Sequence, residues 1–237
     1  MEHDDRADAF GFGLLTHACN FYIVRHGESV ANAQNRIQGR SDFPLNERGR
    51  QQATACGAWF AGKNVKAVLC SPLSRAMESA QILCAAASFP PPKPEELLLE
   101  LETGRFSGLT LAEAKELHPE DHARFLYQSW EGVEDAERSH QLVLRAHKAW
   151  HALVYAALHC GGDVIALSHG GLIQWLVRTT FGASSWLPLV PTGNCCVYQL
   201  LVEPRGRQPD GRPAVMLQWK EMNYLPPLEH ARAEPVF

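Results

Sequence analysis

The stretch Phe21-Tyr22-Ile23-Val24-Arg25-His26-Gly27-Glu28-Ser29 decides how the rest of the chain is read. Four apolar residues rich in β-formers predict a buried strand, and the abrupt change to Arg-His-Gly marks its C-terminal end. In an open α/β sheet ligands bind beyond that end of the strands, so a histidine and an arginine arrive together at the expected site. A histidine there can act as a nucleophile, and the planar donor fork of an adjacent guanidinium matches the oxygens of a phosphate. The expectation is phosphoryl chemistry at His26, against the plainer reading of a polar loop.

The same strand, polar turn and helix recur along the chain. Residues 65–70 predict a second strand closed by Ser71-Pro72, and a helix over about residues 73–87 carries Arg75 in its first turn. Residues 164–167 predict another buried strand, followed by Ser168-His169-Gly170-Gly171 and a helix to about residue 181. Glycines let a ligand approach the backbone, and a helix start offers unpaired N–H groups and a partial positive charge to an anion. Two histidines and two arginines at strand ends, or in the first turn after them, would converge on one pocket.

The segments between read as follows. A polar loop over residues 29–44 holds Asn32, Gln38, Gly39, Arg40 and Asp42, and Asn46 caps a helix over residues 47–61. The run Pro90-Pro91-Pro92-Lys93-Pro94 is a stiff connector to Leu97-Leu98-Leu99-Glu100-Leu101-Glu102. Thr110-x-x-Glu113 has the form of a capping box and Pro119 suits a first helical position, so residues 104–134 read as a small helical insertion. Leu142, Ala146, Ala149, Trp150, Leu153 and Ala157 recur at helical spacing and predict a long core-packed helix over residues 137–160. Residues 195–202 and 214–222 predict an antiparallel hairpin at the sheet edge, separated by a turn-rich stretch over 204–213.

Composition narrows the function. The 237 residues can bury a sizeable core, read as one domain over 19–237 preceded by a loose extension over 1–18. A net charge of −4 offers no basic surface of the kind nucleic acid needs, so a phosphate must be drawn by a local positive cluster. Seven scattered cysteines without a C-x-x-C pair predict reduced thiols in a cytoplasmic protein, and argue against a disulfide scaffold or zinc ribbon. The first residues are acidic where a signal peptide is basic, and no apolar run reaches the roughly 18 residues of a membrane span. His118 with His122, and His147 with His151, have the i, i+4 spacing of a helical metal site but lack a third ligand. They are read as structural, Cys195-Cys196 as core, and Trp130, Arg105, Arg124 and His118 as the solvated surface of the insertion.

Taken together, the motifs resemble the histidine phosphatase superfamily, in its phosphoglycerate-mutase-like branch. They are Arg25-His26-Gly27-Glu28-Ser29-x-x-Asn32, Gln38-Gly39-x-x-Asp42-x-Pro44-Leu45, Gly49-x-x-Gln52-Ala53, Ser71-Pro72-Leu73-x-Arg75-Ala76, Leu98-x-Glu100-x-x-x-Gly104-x-x-x-Gly108-Leu109 and Ser168-His169-Gly170-Gly171. The resemblance implies an α/β fold with a mostly parallel central sheet flanked by helices. It implies that His26 becomes phosphorylated, that His169 stabilises the transition state, and that Arg25 and Arg75 clamp the phosphoryl oxygens. Asn32, Gln38, Gly39 and Gly170 would complete the phosphate site. Glu100, at the family spacing to Gly104, would be the general acid and then the base, with Glu102 the alternative. The attacking nitrogen of His26 must be unprotonated, so a carbonyl or carboxylate should hold the proton on the other nitrogen. No metal or cofactor is implied.

Three departures bear on the reaction. Ser107 stands where the family often has an acidic residue and Phe106 where tryptophan is common. Leu101-Glu102-Thr103 replaces the Arg-His-Tyr-like triplet with which mutases hold phosphoglycerate, and the segment from Glu100 to His169 is short for the mutase insertion. The expectation is therefore a phosphomonoester phosphatase acting on a small-molecule phosphate ester, with no nucleic-acid or membrane partner and a homodimer left open. The alternatives are a phosphoglycerate-mutase-type phosphoryl transferase and a catalytically weak, phosphate-binding regulatory member.

Overall fold

In the computed structural model, residues 10–186 and 189–228 are described. The strands are β1 (Cys19–Arg25), β2 (Val65–Cys70), β3 (Lys93–Pro94), β4 (Asp163–Ser168), β5 (Val197–Arg207) and β6 (Pro213–Tyr224). They form one mixed sheet in the order β3-β2-β4-β1-β5-β6. The first four run parallel; β5 lies antiparallel on β1, and β6 antiparallel on β5. The expected α/β architecture and edge hairpin are both present.

Seven α-helices occur among the described residues: α1 (Val30–Ala33), α2 (Glu47–Phe60), α3 (Ser74–Ala87), α4 (Leu111–Leu117), α5 (Pro119–Gln128), α6 (Ser139–Cys160) and α7 (Gly170–Thr180). Side chains alternate across a strand, so β1 serves two cores. Phe21 and Ile23 pack with α6 and α7, while Tyr22 and Val24 pack with α2 and α3. Local chemistry sets the helix starts. The Asn46 side chain accepts from the Gly49 N–H at 2.9 Å, Thr110 and Glu113 close a reciprocal capping box, and Pro119 opens α5.

Four local expectations change. The loop over 29–44 contains α1, because Ser29 and Asn32 form a capping box of their own. Lys93 and Pro94, at the end of the stiff connector, pair with β2 as a short edge strand. The hairpin strands extend through Pro204 and from Pro213, which the ladder accommodates at a register irregularity between Pro204 and Arg207. The segment expected to be loose up to residue 18 is packed from Phe10 onward. Phe10 and Phe12 are fully buried, and the rings of Phe12 and Phe21 lie 5.3 and 5.8 Å from Trp150. Aromatic burial of this size holds a segment that has no regular strand or long helix. Residues 1–9 and 229–237 lie outside the described residues.

Residues 104–134 cover one end of the sheet. Their Phe106, Ala114 and Val133 form a small core with Ala136, against which Ile37, Leu109, Phe125 and Trp130 pack. The Ile37 N–H donates to the Leu109 carbonyl at 2.8 Å and the Gly108 N–H to the Ile37 carbonyl at 2.7 Å, tying this cap to the loop after α1. No helix among the described residues is long and apolar enough to cross a membrane.

Candidate active site

Register delivers the histidines. Arg25 pairs with Ser168 across β1 and β4, so the next residues, His26 and His169, leave the sheet side by side with ring centroids 5.0 Å apart. The His26 N–H donates to the Ser168 carbonyl at 2.9 Å, and its own carbonyl accepts from the Cys195 N–H and the Asn194 side chain, both at 3.2 Å. Beyond it the backbone presses on the first turn of α2. A Cβ on Gly27 would lie 2.4 Å from the Gly49 carbonyl oxygen, and one on Gly49 would lie 2.1 Å from the Glu28 carbonyl oxygen. Both positions need glycine for this approach.

His26 Nδ1 lies 2.6 Å from the Gly27 carbonyl oxygen. A carbonyl can only accept, so Nδ1 carries the hydrogen and Nε2 the lone pair. This is the backbone partner that a nucleophilic histidine requires. His169 Nε2 is 2.7 Å from Ser71 Oγ, while its Nδ1 is buried without a partner. Burial, then the Arg75 charge, then Arg25, holds His26 well below the usual histidine range; His169 is lowered by burial first, then by Arg75 and by His26.

Both arginines are cations anchored by carbonyls, Arg75 buried and Arg25 partly buried. Arg25 donates to the Thr192 carbonyl, and Arg75 donates to those of Ser41 and Gly39, each at 2.8 Å. The Nε of each is buried with no partner, and neither arginine forms an ion pair among the described residues. Burial lowers Arg25 and brings Arg75 down to about 10, and the two cations oppose one another. Buried unpaired charge is costly, so two such groups beside two neutral imidazoles describe a cavity shaped for an anion.

Glu100 is held in an unexpected way. Its carboxylate accepts from the N–H groups of Gly171 and Leu172, both at 3.1 Å, and from its neighbour Leu101 at 2.8 Å. Those two amides at the start of α7, expected to face the phosphate, are occupied by this side chain. Gly171 permits it, since a Cβ there would lie 2.5 Å from Glu100 Oε1. The segment carrying Glu100 is itself strapped to α6. Arg145 donates to the Leu99 carbonyl at 2.5 Å and makes two bonds to Glu137, at 2.7 and 2.8 Å, in a pair that is 12% and 11% exposed.

One cleft of about 550 Å³ is lined by Arg25, His26, Asn32, Gln38, Gly39, Arg75, Glu100 and Gly170. His169 is fully buried against His26 at its floor. Glu102 instead faces a separate surface cleft with Glu134 and Glu137. Trp130, expected on a solvated surface, lines the same cleft as His26, because the aromatic core of the cap holds it inward. Arg105 pairs with Glu134 and Arg124 with Asp121 outside the cleft. Sequence reasoning missed Thr192, Asn194 and Trp186. The first two precede β5, and only its antiparallel pairing with β1 brings them to the site. Among the described residues no group of three or more His, Cys, Asp or Glu side chains could hold a metal ion.

The depressed histidines predict a pH dependence of stability. Between their folded values and the ordinary 6.5 the unfolded chain binds more protons, so stability is complete above about pH 6.5 and falls as pH drops below it. Each histidine can contribute up to about 1.4 kcal/mol per pH unit, and half-buried His147, lowered by burial and by His151, acts in the same direction. Urea unfolding of the ligand-free protein at pH 7.5 and 5.5 should show a loss of roughly 2–3 kcal/mol, smaller in a His169→Asn variant. Equal stability at the two pH values would contradict the neutral pair.

The family model of the histidine phosphatase superfamily (branch 1) matches residues 21–211. The chain is 31% identical over 155 residues to 2,3-bisphosphoglycerate-dependent phosphoglycerate mutase 2 of Gloeobacter violaceus, covering 64% of this chain and 71% of that protein. It is 30% identical over 214 residues to glucosyl-3-phosphoglycerate phosphatase of Mycolicibacterium vanbaalenii, covering 84% and 90%. Some relatives are longer: the chain spans 39% of 2-carboxy-D-arabinitol-1-phosphatase of Triticum aestivum, at 30% identity. In fold it is similar to the solved structure of a mycobacterial glucosyl-3-phosphoglycerate phosphatase in complex with VO3, with a TM-score of 0.72 and 23% identity over 86% of this chain and 99% of that one.

Proposed function

This chain belongs to the histidine phosphatase superfamily (branch 1), and from that premise we propose that it is a phosphomonoester phosphatase working through a phosphohistidine at His26. The observation that carries the reading is the pair of arginines lining the cleft, Arg25 and Arg75, which have no carboxylate partner among the described residues, beside an imidazole with its lone pair on Nε2. The phosphoryl group sits between the guanidinium groups, His26 Nε2 attacks phosphorus, and the alkoxide leaves with a proton from Glu100 in its protonated form, carried on Oε2, which accepts a single N–H. His169 and the arginines take up the charge spread over the equatorial oxygens. Glu100 then takes a proton from water, which attacks the phosphohistidine and releases phosphate. Positive charge at the site comes from the chain's own side chains, which supports a reaction without a divalent metal.

Hydrolysis is favoured over mutase chemistry by the residues after Glu100. Leu101 is buried, and the Glu102 carboxylate turns back to accept from the Thr103 N–H and the Ser107 hydroxyl. Neither offers a cation for the carboxylate of a phosphoglycerate. The seven unpaired thiols support a reducing, cytoplasmic setting. The test is phosphate release from p-nitrophenyl phosphate in excess EDTA, with and without added 2,3-bisphosphoglycerate. Release that survives the chelator and is not accelerated by the bisphosphate is expected. Activity restored only by a divalent metal, or isomerisation of phosphoglycerate without net release, would overturn the proposal.

A further inference from the structure

A phosphomonoester has an alcohol as well as a phosphate, and the cleft treats the two ends differently. Above the phosphate floor the charged side chains lining it are Glu100 and Arg36. Arg36 is already committed: it donates to both Glu113 oxygens at 2.7 and 3.3 Å, to the Gly108 carbonyl at 2.9 Å and to Gln34 at 3.2 Å. No cation is left there for a second anionic group. The rest of the lining is mainly apolar, interrupted by the uncharged polar side chains of Asn35, Thr103, Ser129 and Gln174. Phe125 and Trp130 stack edge to face 5.0 Å apart, backed by buried Phe106, and Leu111 at the rim is 49% exposed. Trp186, buried against Trp175, also lines the cleft.

We infer that the substrate's alcohol is uncharged and carries an apolar ring that lies against Trp130 and Phe125. This rests on the phosphatase reading above and names its substrate class. Rings on aromatic faces gain both burial and favourable edge or stacked geometry. An anionic alcohol would lose its hydration without a charge to replace it.

The test compares three primary alkyl esters, in which the leaving group is chemically alike: benzyl phosphate, ethyl phosphate and 3-phosphoglycerate. Benzyl phosphate should exceed ethyl phosphate in kcat/KM by about tenfold and 3-phosphoglycerate by on the order of 100-fold. Trp130→Ala should shrink the benzyl-to-ethyl ratio and Trp130→Phe should keep most of it. Glu113→Gln, which keeps an oxygen for the Thr110 N–H but removes the negative charge opposite Arg36, should narrow the gap to 3-phosphoglycerate. Calorimetric binding of benzylphosphonate and ethylphosphonate, which cannot be hydrolysed, separates this inference from the one beneath it. If no ester turns over yet benzylphosphonate binds more tightly, the phosphatase reading fails and the ring site stands. If 3-phosphoglycerate is turned over as well as benzyl phosphate, or benzylphosphonate binds no better than ethylphosphonate, the ring site is overturned.

Discussion

His26→Ala is expected to lower kcat by on the order of 10⁴-fold or more, because it removes the atom proposed to form the covalent intermediate and no neighbour can replace it. His169 is the only other imidazole at the floor of the cleft among the described residues, and one of its nitrogens is bonded to Ser71. Phosphate affinity should survive, since Arg25 and Arg75 keep their carbonyl anchors on Thr192, Ser41 and Gly39. Rapid quench with substrate labelled in the phosphoryl group reads the step directly. Wild-type protein should carry an acid-labile, alkali-stable label, and the variant none. Substantial turnover by His26→Ala, or an unchanged label, would refute the covalent mechanism. The freed Gly27 carbonyl and the space left by the ring make a modest loss of stability expected, so a melting curve belongs beside the kinetics.

Glu100→Gln should lower kcat by about 10²–10⁴-fold for alkyl esters and much less for phosphoenzyme formation from p-nitrophenyl phosphate. The contrast follows from the leaving group. An alkoxide needs a proton as the bond breaks, whereas nitrophenolate departs without one. Glutamine keeps one oxygen for the Leu101 and Leu172 amides but turns an NH₂ toward the Gly171 N–H, so a local shift at the start of α7 accompanies the change. Phosphate inhibition measured in parallel distinguishes lost proton transfer from a disturbed anion site. Equal losses for alkyl and nitrophenyl esters at the first step would remove Glu100 from the general-acid role. Full activity in Glu100→Gln with loss in Glu102→Gln would transfer that role, although Glu102 faces a separate cleft.

Much of this site was legible because its signals are local. A run such as Phe21 to Val24 forms a strand buried on both faces whatever surrounds it, and the Arg-His-Gly that ends it must then sit at the sheet's C-terminal edge. Asn46, the Thr110 and Glu113 pair, Pro119 and Gly161 act within one helical turn, so the helices they bound were found to within a residue or two. Ser29 and Asn32 carry the same kind of signal, passed over because a four-residue helix has no apolar period to announce it. Phe10 and Phe12 were misjudged for the opposite reason. Nothing local orders them, and their stability comes from Trp150, far along the chain.

What the sequence by itself determined was therefore the set of strand, turn and helix units, and the presence of Arg25, His26, Arg75 and His169 at their ends. Periodicity, caps and turn residues act over a few positions, and the chain carries them wherever it goes. Only the tertiary structure decided what those ends meet. Strand order put β4 and β5 on either side of β1, so His169 came to rest 5.0 Å from His26 and the Asn194 side chain on its carbonyl. Packing brought the Glu100 carboxylate onto amides 71 and 72 positions away, strapped its backbone to Arg145, and turned Trp130 and Trp186 into the cleft. Contacts of that range depend on shape and burial summed over the whole fold, which no short window of residues encodes.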